Sequence, residues 1–255
     1  LYAQLVQGNQ TGDLALQSAE NYNSLEVGSL FYSFPVSDLQ VTAGPLLDAD
    51  DVISATTSLY SEGFRLASMP YGVDGDVTGA GVGASWANDN GFNASFATVS
   101  VSGNAPSTGI YTTESADHYV ASLGYDSDTW GLGLIFTDDD NTTAANDTSF
   151  GAGVYFRPDG FPTISVAYDS LSDATVGTAD SSDFFVGLEH EVGPGTASAA
   201  YQSRDTSGTT TSNYEVFYTY PVNDGVSVSG GFFTEEQSGT TEDTTGYVVE
   251  TTFSF

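Results

Sequence analysis

Apolar side chains recur at every second position in many short windows of the chain, and helical spacing is nearly absent. The clearest windows are Ala80-Val82-Ala84-Trp86, Phe92-Ala94-Phe96, Tyr119-Ala121-Leu123-Tyr125 and Trp130-Leu132-Leu134-Phe136. Phe150-Ala152-Val154-Phe156, Ile164-Val166-Tyr168, Phe184-Val186-Leu188, Tyr214-Val216-Tyr218-Tyr220 and Tyr247-Val249-Thr251-Phe253-Phe255 continue the series. Period two is the mark of a strand with two unlike faces, so the pattern predicts an all-β chain. The positions between are small or polar: Gly81 and Gly83, Asn93 and Ser95, Gly131 and Gly133, Glu215 and Thr219, Glu250 and Thr252. In a soluble sandwich Lys, Glu and Arg would dominate that second face. Here aromatic residues gather at the strand ends with aliphatics between them, as in the girdles of a membrane barrel, and the small polar set suits a lumen.

The connections alternate between tight and long. Tight ones are rich in turn formers: Pro35 to Asp38, Asn88 to Gly91, Asp126 to Asp128, Pro158 to Gly160, Gly193 to Gly195 and Asn223 to Gly225. Long polar ones fall between them: Asn9 to Ser24, Gly44 to Val77, Gly103 to Ala116, Asp138 to Asp147, Leu171 to Ser182, Asp205 to Ser212 and Glu235 to Thr245. The reading is one antiparallel transmembrane β-barrel domain over residues 1–255. It would have about 14 strands, with 16 also compatible, short periplasmic turns and long extracellular loops. The first strands are the least regular. Leu1 to Gly8 alternates poorly, and Leu25 to Phe34 carries apolar residues in both phases, as a bulge or contact with an inward loop would require.

Charge changes the picture next. Lys and Arg total 3 against 34 Asp and Glu, a formal net charge of -31. Such acidity alone would suit a disordered chain, but 13% aromatic residues argue for a folded one. The only cations are Arg65, Arg157 and Arg204, which leaves no basic footprint for nucleic acid. The absence of Cys removes disulfide frameworks, thiolate metal sites and Cys nucleophiles together. No run of 18 or more apolar residues is present, so no helical span is expected, which says nothing against strands that cross a membrane. The start at Leu1 fits a processed chain or one with a segment before it.

Catalysis has little to work with. A Ser-His-Asp arrangement would need His118, expected in the lumen, or His190, expected near the periplasmic girdle, and neither has an obvious nucleophile partner. No enzyme and no cofactor are expected. The Gly-rich pieces at Gly79–Gly83 and Gly151–Gly153 lack the helix and the Lys-Ser/Thr of a phosphate loop. They read instead as room for water or for a loop folded against the wall. Gly44 to Val77, the longest connection, is the candidate for that loop; an ordinary solvated outer loop is the alternative. It carries Asp48, Asp50, Asp51, Glu62, Arg65, Asp74 and Asp76, and Asp51 to Leu66 could form a short helix within it. The acidic groups at Asp48–Asp51, Asp74–Asp76 and Asp138–Asn141 do not match a calcium-loop spacing, so loosely held Ca²⁺ or Mg²⁺ is expected rather than a defined site.

With Glu189, Glu215 and Glu250 inward, the lumen would concentrate cations and repel anions. Pore or constriction candidates are therefore Asp48, Asp50, Asp51, Glu62, Arg65, Glu189, Glu215 and Glu250. Arg157 and Arg204 read as partners of nearby carboxylates, and outward Ala197 and Ala199 as a subunit contact or plain lipid face. The last strand, "GYVVETTFSF", resembles the C-terminal signature of bacterial outer-membrane proteins. That resemblance makes Tyr247, Phe253 and Phe255 the expected signal for the barrel-insertion machinery.

"FYSFPVSDLQVTAGPLLDADD" (Phe31 to Asp51), "SLYSEGFR" (Ser58 to Arg65) and the final "TTFSF" resemble the cyanobacterial Som-type outer-membrane porins, mainly over residues 25 to 90 and at the C-terminus. The resemblance implies a passive channel for small solutes and inorganic ions, with iron uptake often proposed, and a homotrimer. It also implies a surface-layer homology region and a coiled coil for anchoring to peptidoglycan. Neither is found in these 255 residues, so either the anchoring role does not apply or that region lies outside them. The acidity fits a marine or saline member of such a family, since salt screens carboxylate repulsion over a Debye length of about 8 Å or less.

The expectation is thus a cation-preferring diffusion channel of the bacterial outer membrane, with membrane lipid and lipopolysaccharide as its surroundings and no nucleic-acid partner. Two alternatives stand beside it: a secreted acidic β-sandwich that binds Ca²⁺ and glycan, and a receptor or adhesion barrel with a plugged lumen.

Overall fold

The computed structural model describes residues 1–7, 24–61, 77–101, 103, 107–140, 146–172, 180–236 and 243–254. It contains fourteen strands and one short 3₁₀ turn (Asp50–Val52). The strands are β1 (Tyr2–Val6), β2 (Glu26–Val36), β3 (Leu39–Asp48), β4 (Thr78–Ala87), β5 (Phe92–Val101), β6 (Ala116–Asp126) and β7 (Trp130–Asp140). They continue with β8 (Asp147–Phe156), β9 (Thr163–Ser172), β10 (Ser181–Val192), β11 (Gly195–Thr206), β12 (Thr209–Asn223), β13 (Val226–Glu235) and β14 (Thr244–Phe253). Each pairs antiparallel with the next in chain order, giving one 14-stranded meander from β1 to β14. A single sheet of this kind leaves no second layer for a soluble sandwich.

The sheet is inside out by the standards of a water-soluble protein. On β6 Leu123 is 62% exposed while its neighbour Ser122 is 3%, and on β7 Phe136 is 57% exposed beside Thr137 at 1%. The exposed phase continues through Val82, Phe96, Phe150, Val154, Tyr168, Phe184, Leu188, Val216 and Phe232. A continuous apolar face with a buried polar reverse is the arrangement lipid selects, because only lipid makes apolar exposure free of cost. The small polar phase is therefore the inner face.

Two apolar clusters interrupt that inner face. One joins Phe31, Leu47, Ala49, Val52, Ala97, Val99, Val120 and Ile135. The other joins Tyr60, Ala167, Phe185, Ala200, Phe217 and Phe233, with Val248 against it. The first accounts for the two-sided apolar pattern of β2. The β2–β3 register shifts between Leu30 and Tyr32, and Phe31 packs inward on the chain that follows β3 while Tyr32 and Phe34 stay exposed. Both causes expected from the sequence, a bulge and an inward segment, operate together.

Three boundaries differ from expectation. Strand β3 runs on to Asp48, so the long connection begins at Ala49 and not at Gly44. Asp205 to Ser212 is no long loop: β11 and β12 extend to Thr206 and Thr209 and meet at Ser207-Gly208. Both turn residues have positive φ, 53° and 80°, the conformation of the two-residue hairpin turn that follows strand twist and suits Gly. Thr and Ser on both sides had disguised two strands as a polar loop. The helix expected from Asp51 is confined to the single 3₁₀ turn, and residues 53–61 carry no helix. Val52, Ile53, Thr56 and Thr57 are β-branched and lose side-chain freedom in a helix. Residues 62–66 of that expected helix lie outside the described residues.

Candidate functional site

After β3 the chain turns inward at Asp50–Val52 and crosses the inner face strand by strand. Val52 packs at Gly83 of β4, where an added Cβ would come within 2.7 Å of its Cγ1. The Ser54 amide donates to Ser95 Oγ of β5 at 3.2 Å and to Ser122 Oγ of β6 at 3.4 Å. Ala55 sits over Gly124, and Thr56 and Thr57 over Gly133 of β7. A Cβ on Gly153 of β8 would fall on the Thr57 carbonyl oxygen. The Leu59 amide donates to Ser165 Oγ of β9 at 3.0 Å. Tyr60 lies against Gly187 of β10, where a Cβ would meet its ring at 2.6 Å. Glycine on the wall is the negative print of this segment: backbone approaches backbone only where no side chain intervenes.

Tyr60 anchors the crossing. It is 3% exposed, and its ring stands edge-on to Phe185 (centroids 5.3 Å) and Phe217 (6.1 Å). Its hydroxyl donates to Glu215 Oε1 at 2.6 Å. Burial, reinforced by the neighbouring Glu215 carboxylate, raises the Tyr60 phenol well above its ordinary range, so it stays the donor. A charge-assisted bond inside an aromatic trio pins the segment to β10 and β12 at once.

The expected site residues divide into three groups. Asp50 and Asp51 form the inward turn, and Asp48, half-buried at the end of β3, accepts from Thr78 Oγ1 at 3.2 Å. Glu189, Glu215 and Glu250 all sit in the inner phase: Ser198 Oγ donates to Glu189 Oε1 at 3.0 Å, and Glu250 pairs in register with Ser229. Tyr247 and Phe253 of β14 face outward and are 87% and 59% exposed. Glu62, Arg65, Asp74, Asp76 and Phe255 lie outside the described residues.

Of the two described arginines, Arg157 donates from Nε and Nη2 to the Asp128 carbonyl in the short-turn region. Arg204 faces inward and grips Asp183 through Nε (2.9 and 3.0 Å) and Nη2 (2.6 Å). His118 is fully buried in the inner phase, with Nδ1 2.5 Å from Asp139 Oδ1, and no Ser or Thr hydroxyl is recorded on its ring. Among the described residues no group of three or more His, Cys, Asp or Glu is placed to hold a metal ion.

The sequence reading missed Tyr60 and Asp169. Tyr60 lay inside the loop it singled out, but the loop was searched for charge. A lone aromatic after a Ser/Thr run, with unexplained glycines on the strands, was the available signal. Asp169 looked like one more acid among many; only pairing reveals that Asp183 stands directly opposite it.

Sequence comparison with curated proteins gives no match. Residues 15–240 match the Gram-negative porin family. Among solved structures, an anion-selective porin from Comamonas acidovorans superposes with a TM-score of 0.64 at 15% identity, covering 89% of this chain and 76% of that one. A porin refined at 1.8 Å resolution gives 0.63 at 12% identity, over 88% and 80%. A mutant of the Rhodopseudomonas blastica porin gives 0.56 at 14% identity, over 93% and 81%. At such identities these structures speak for the fold, and the fold they share is the barrel read above from the exposed apolar face. The inside-out sheet, the lumen-facing segment and the family match converge: this chain belongs to the Gram-negative porins, channel-forming β-barrels of the bacterial outer membrane.

Proposed function

We propose that this porin is a water-filled, cation-preferring diffusion channel for small hydrophilic solutes and inorganic ions, narrowed by residues 49–61. The observation that carries the reading is the charge of the inner phase. Asp139, Asp147, Asp169, Asp183, Glu189, Glu215, Glu235 and Glu250 project from it, and Arg204 and His118 are the basic side chains of that phase among the described residues. A low-dielectric wall lined by one sign of charge focuses the field along the water path and enriches counter-ions there. Fold alone does not set the sign, since one structural neighbour is described as anion-selective. The side chains do.

Planar-bilayer recording with a KCl gradient tests this. Unitary steps whose reversal potential has the sign of cation preference are expected. Anion preference would overturn the selectivity while keeping the channel, and insertion without conductance would favour the plugged barrel. A homotrimer belongs to the same proposal. Its support is an apolar hollow of about 470 Å³ lined by Ala43, Pro45, Ala80, Val82, Ile110 and Tyr111, a surface that a neighbouring subunit would fill. Native mass spectrometry in detergent distinguishes it from a monomer.

A further inference from the structure

We propose that the lumen wall holds a binding site for an alkali-metal cation at Asp169. The site goes beyond the channel reading, because it concerns an ion held at the wall and not ions in transit. Asp169 has no exposed surface, and neither carboxylate oxygen has a hydrogen-bond partner of ordinary geometry, the Asp183 backbone amide being the weak donor beside it. Asp183 stands directly opposite on β10, and Arg204 directly opposite Asp183 on β11. Two like charges face to face across a ladder repel. The single guanidinium is committed to Asp183, engaging both of its oxygens. With both carboxylates ionised, the three side chains together would keep one net negative charge, centred on Asp169.

A buried carboxylate is neutralised by pairing, by a metal ion or by a proton. Within this group the pairing partner is already used. The residual charge of one matches a monovalent ion. Ca²⁺ takes about six to eight oxygens, and no acidic group of three or more is available among the described residues. On the other side of Asp169 the facing residue is Gly151 of β8, which puts no side chain in the way. An alkali ion held by the two Asp169 oxygens neutralises the wall and ties β9 to the Asp183–Arg204 pair.

The test is thermal unfolding of the detergent-solubilised protein in KCl and in N-methylglucamine chloride at equal ionic strength, for the native chain and Asp169→Asn. The bulky organic cation screens equally but cannot enter. The native protein is expected to unfold several degrees higher in KCl, and the variant to unfold at the same temperature in both. An equal gap in both proteins would assign the effect to the diffuse acidic surface and overturn the site. No gap in the native protein would also overturn it, leaving a proton on Asp169. Should the variant not fold, native crystals soaked in thallium(I), which substitutes for K⁺, decide the matter: an anomalous peak at bonding distance from the Asp169 oxygens is expected, and its absence refutes the site. These outcomes are independent of channel selectivity: a peak in an anion-preferring channel would keep the site, and no peak in a cation-preferring one would remove it alone.

Discussion

The wall of this barrel has two unlike halves. From β4 to β10 the inner positions that meet residues 52–60 are Gly83, Gly124, Gly133, Gly153 and Gly187, interspersed with Ser95, Ser122 and Ser165. From β12 to β14 the same phase carries Glu215, Phe217, Phe233, Val248 and Glu250. One half is bare because another part of the chain clothes it. The other supplies its own side chains and meets residues 52–60 through Tyr60. A run of small inward residues therefore records the route of a second segment, with Val99, Val120 and Ile135 packed beside its start at Val52.

The sharpest way to break this division is at the junction. Tyr60→Ala removes the ring from between Phe185 and Phe217 and deletes the hydroxyl that donates to the fully buried Glu215. A cost of about 3–5 kcal/mol is expected from the lost aromatic alone. Tyr60→Phe keeps the ring and loses the charge-assisted bond, about 1.5–3 kcal/mol. Denaturation in detergent ranks the two, and single-channel noise reports whether the freed segment wanders. If Tyr60→Ala leaves both stability and noise unchanged, the segment is held by the bare half alone.

The next test fills the bare half. Gly153→Val places a branched side chain where the Thr57 carbonyl sits, whereas Gly230→Val enters open space on the outer face. Overpacking at Gly153 is expected to cost about 1–3 kcal/mol and to alter unitary conductance, because the segment must leave the wall. Gly230→Val is expected to change neither. Equal behaviour of the two variants would show that the segment accommodates freely.

How much of this was legible in the sequence follows the same line. Period two revealed the strands and their outward face, because lipid favours apolar side chains at most outward positions. The inner face obeys no such rule. Gly153 read as room for water or for a folded-in loop, but which residues fill it and Gly133 was not legible, since Thr56 and Thr57 lie far away in the chain. The turn at Ser207-Gly208 was hidden because Thr and Ser serve equally as loop and as inward strand. Asp48, Asp50 and Asp51 were found by charge, while Tyr60 and Asp169 acquire their meaning only from partners brought together by pairing.

Charge supplies a gentler contrast between the halves. Glu189→Gln and Glu250→Gln, from the wall on either side of the Tyr60 anchor, are each expected to lower cation preference, and neutralising Asp48, Asp50 and Asp51 together to lower it through the inward turn. The reversal potential across a KCl gradient measures both. The effect should be largest in dilute salt and fade toward 1 M, where the Debye length falls from about 30 Å at 0.01 M to about 3 Å. Unchanged selectivity in the triple variant would remove the turn from the narrowing.

The smallest effect separates single from shared anchorage within the bare half. The Leu59 amide has one hydroxyl partner, Ser165, whereas the Ser54 amide is shared between Ser95 and Ser122. Ser165→Ala deletes that acceptor, and water from the lumen is the available replacement, so a loss of about 0.5–1.5 kcal/mol is expected. Ser95→Ala leaves the Ser122 hydroxyl to accept alone and should cost less. Amide hydrogen exchange resolves the difference where global unfolding would not: Ser165→Ala should speed exchange at Leu59, while Ser95→Ala leaves Ser54 protected. Because the segment is extended and makes no ladder of its own, its amides depend on these hydroxyls one by one. If both amides exchange as fast in the native protein as in the variants, the glycine cradle and Tyr60 hold the segment without them.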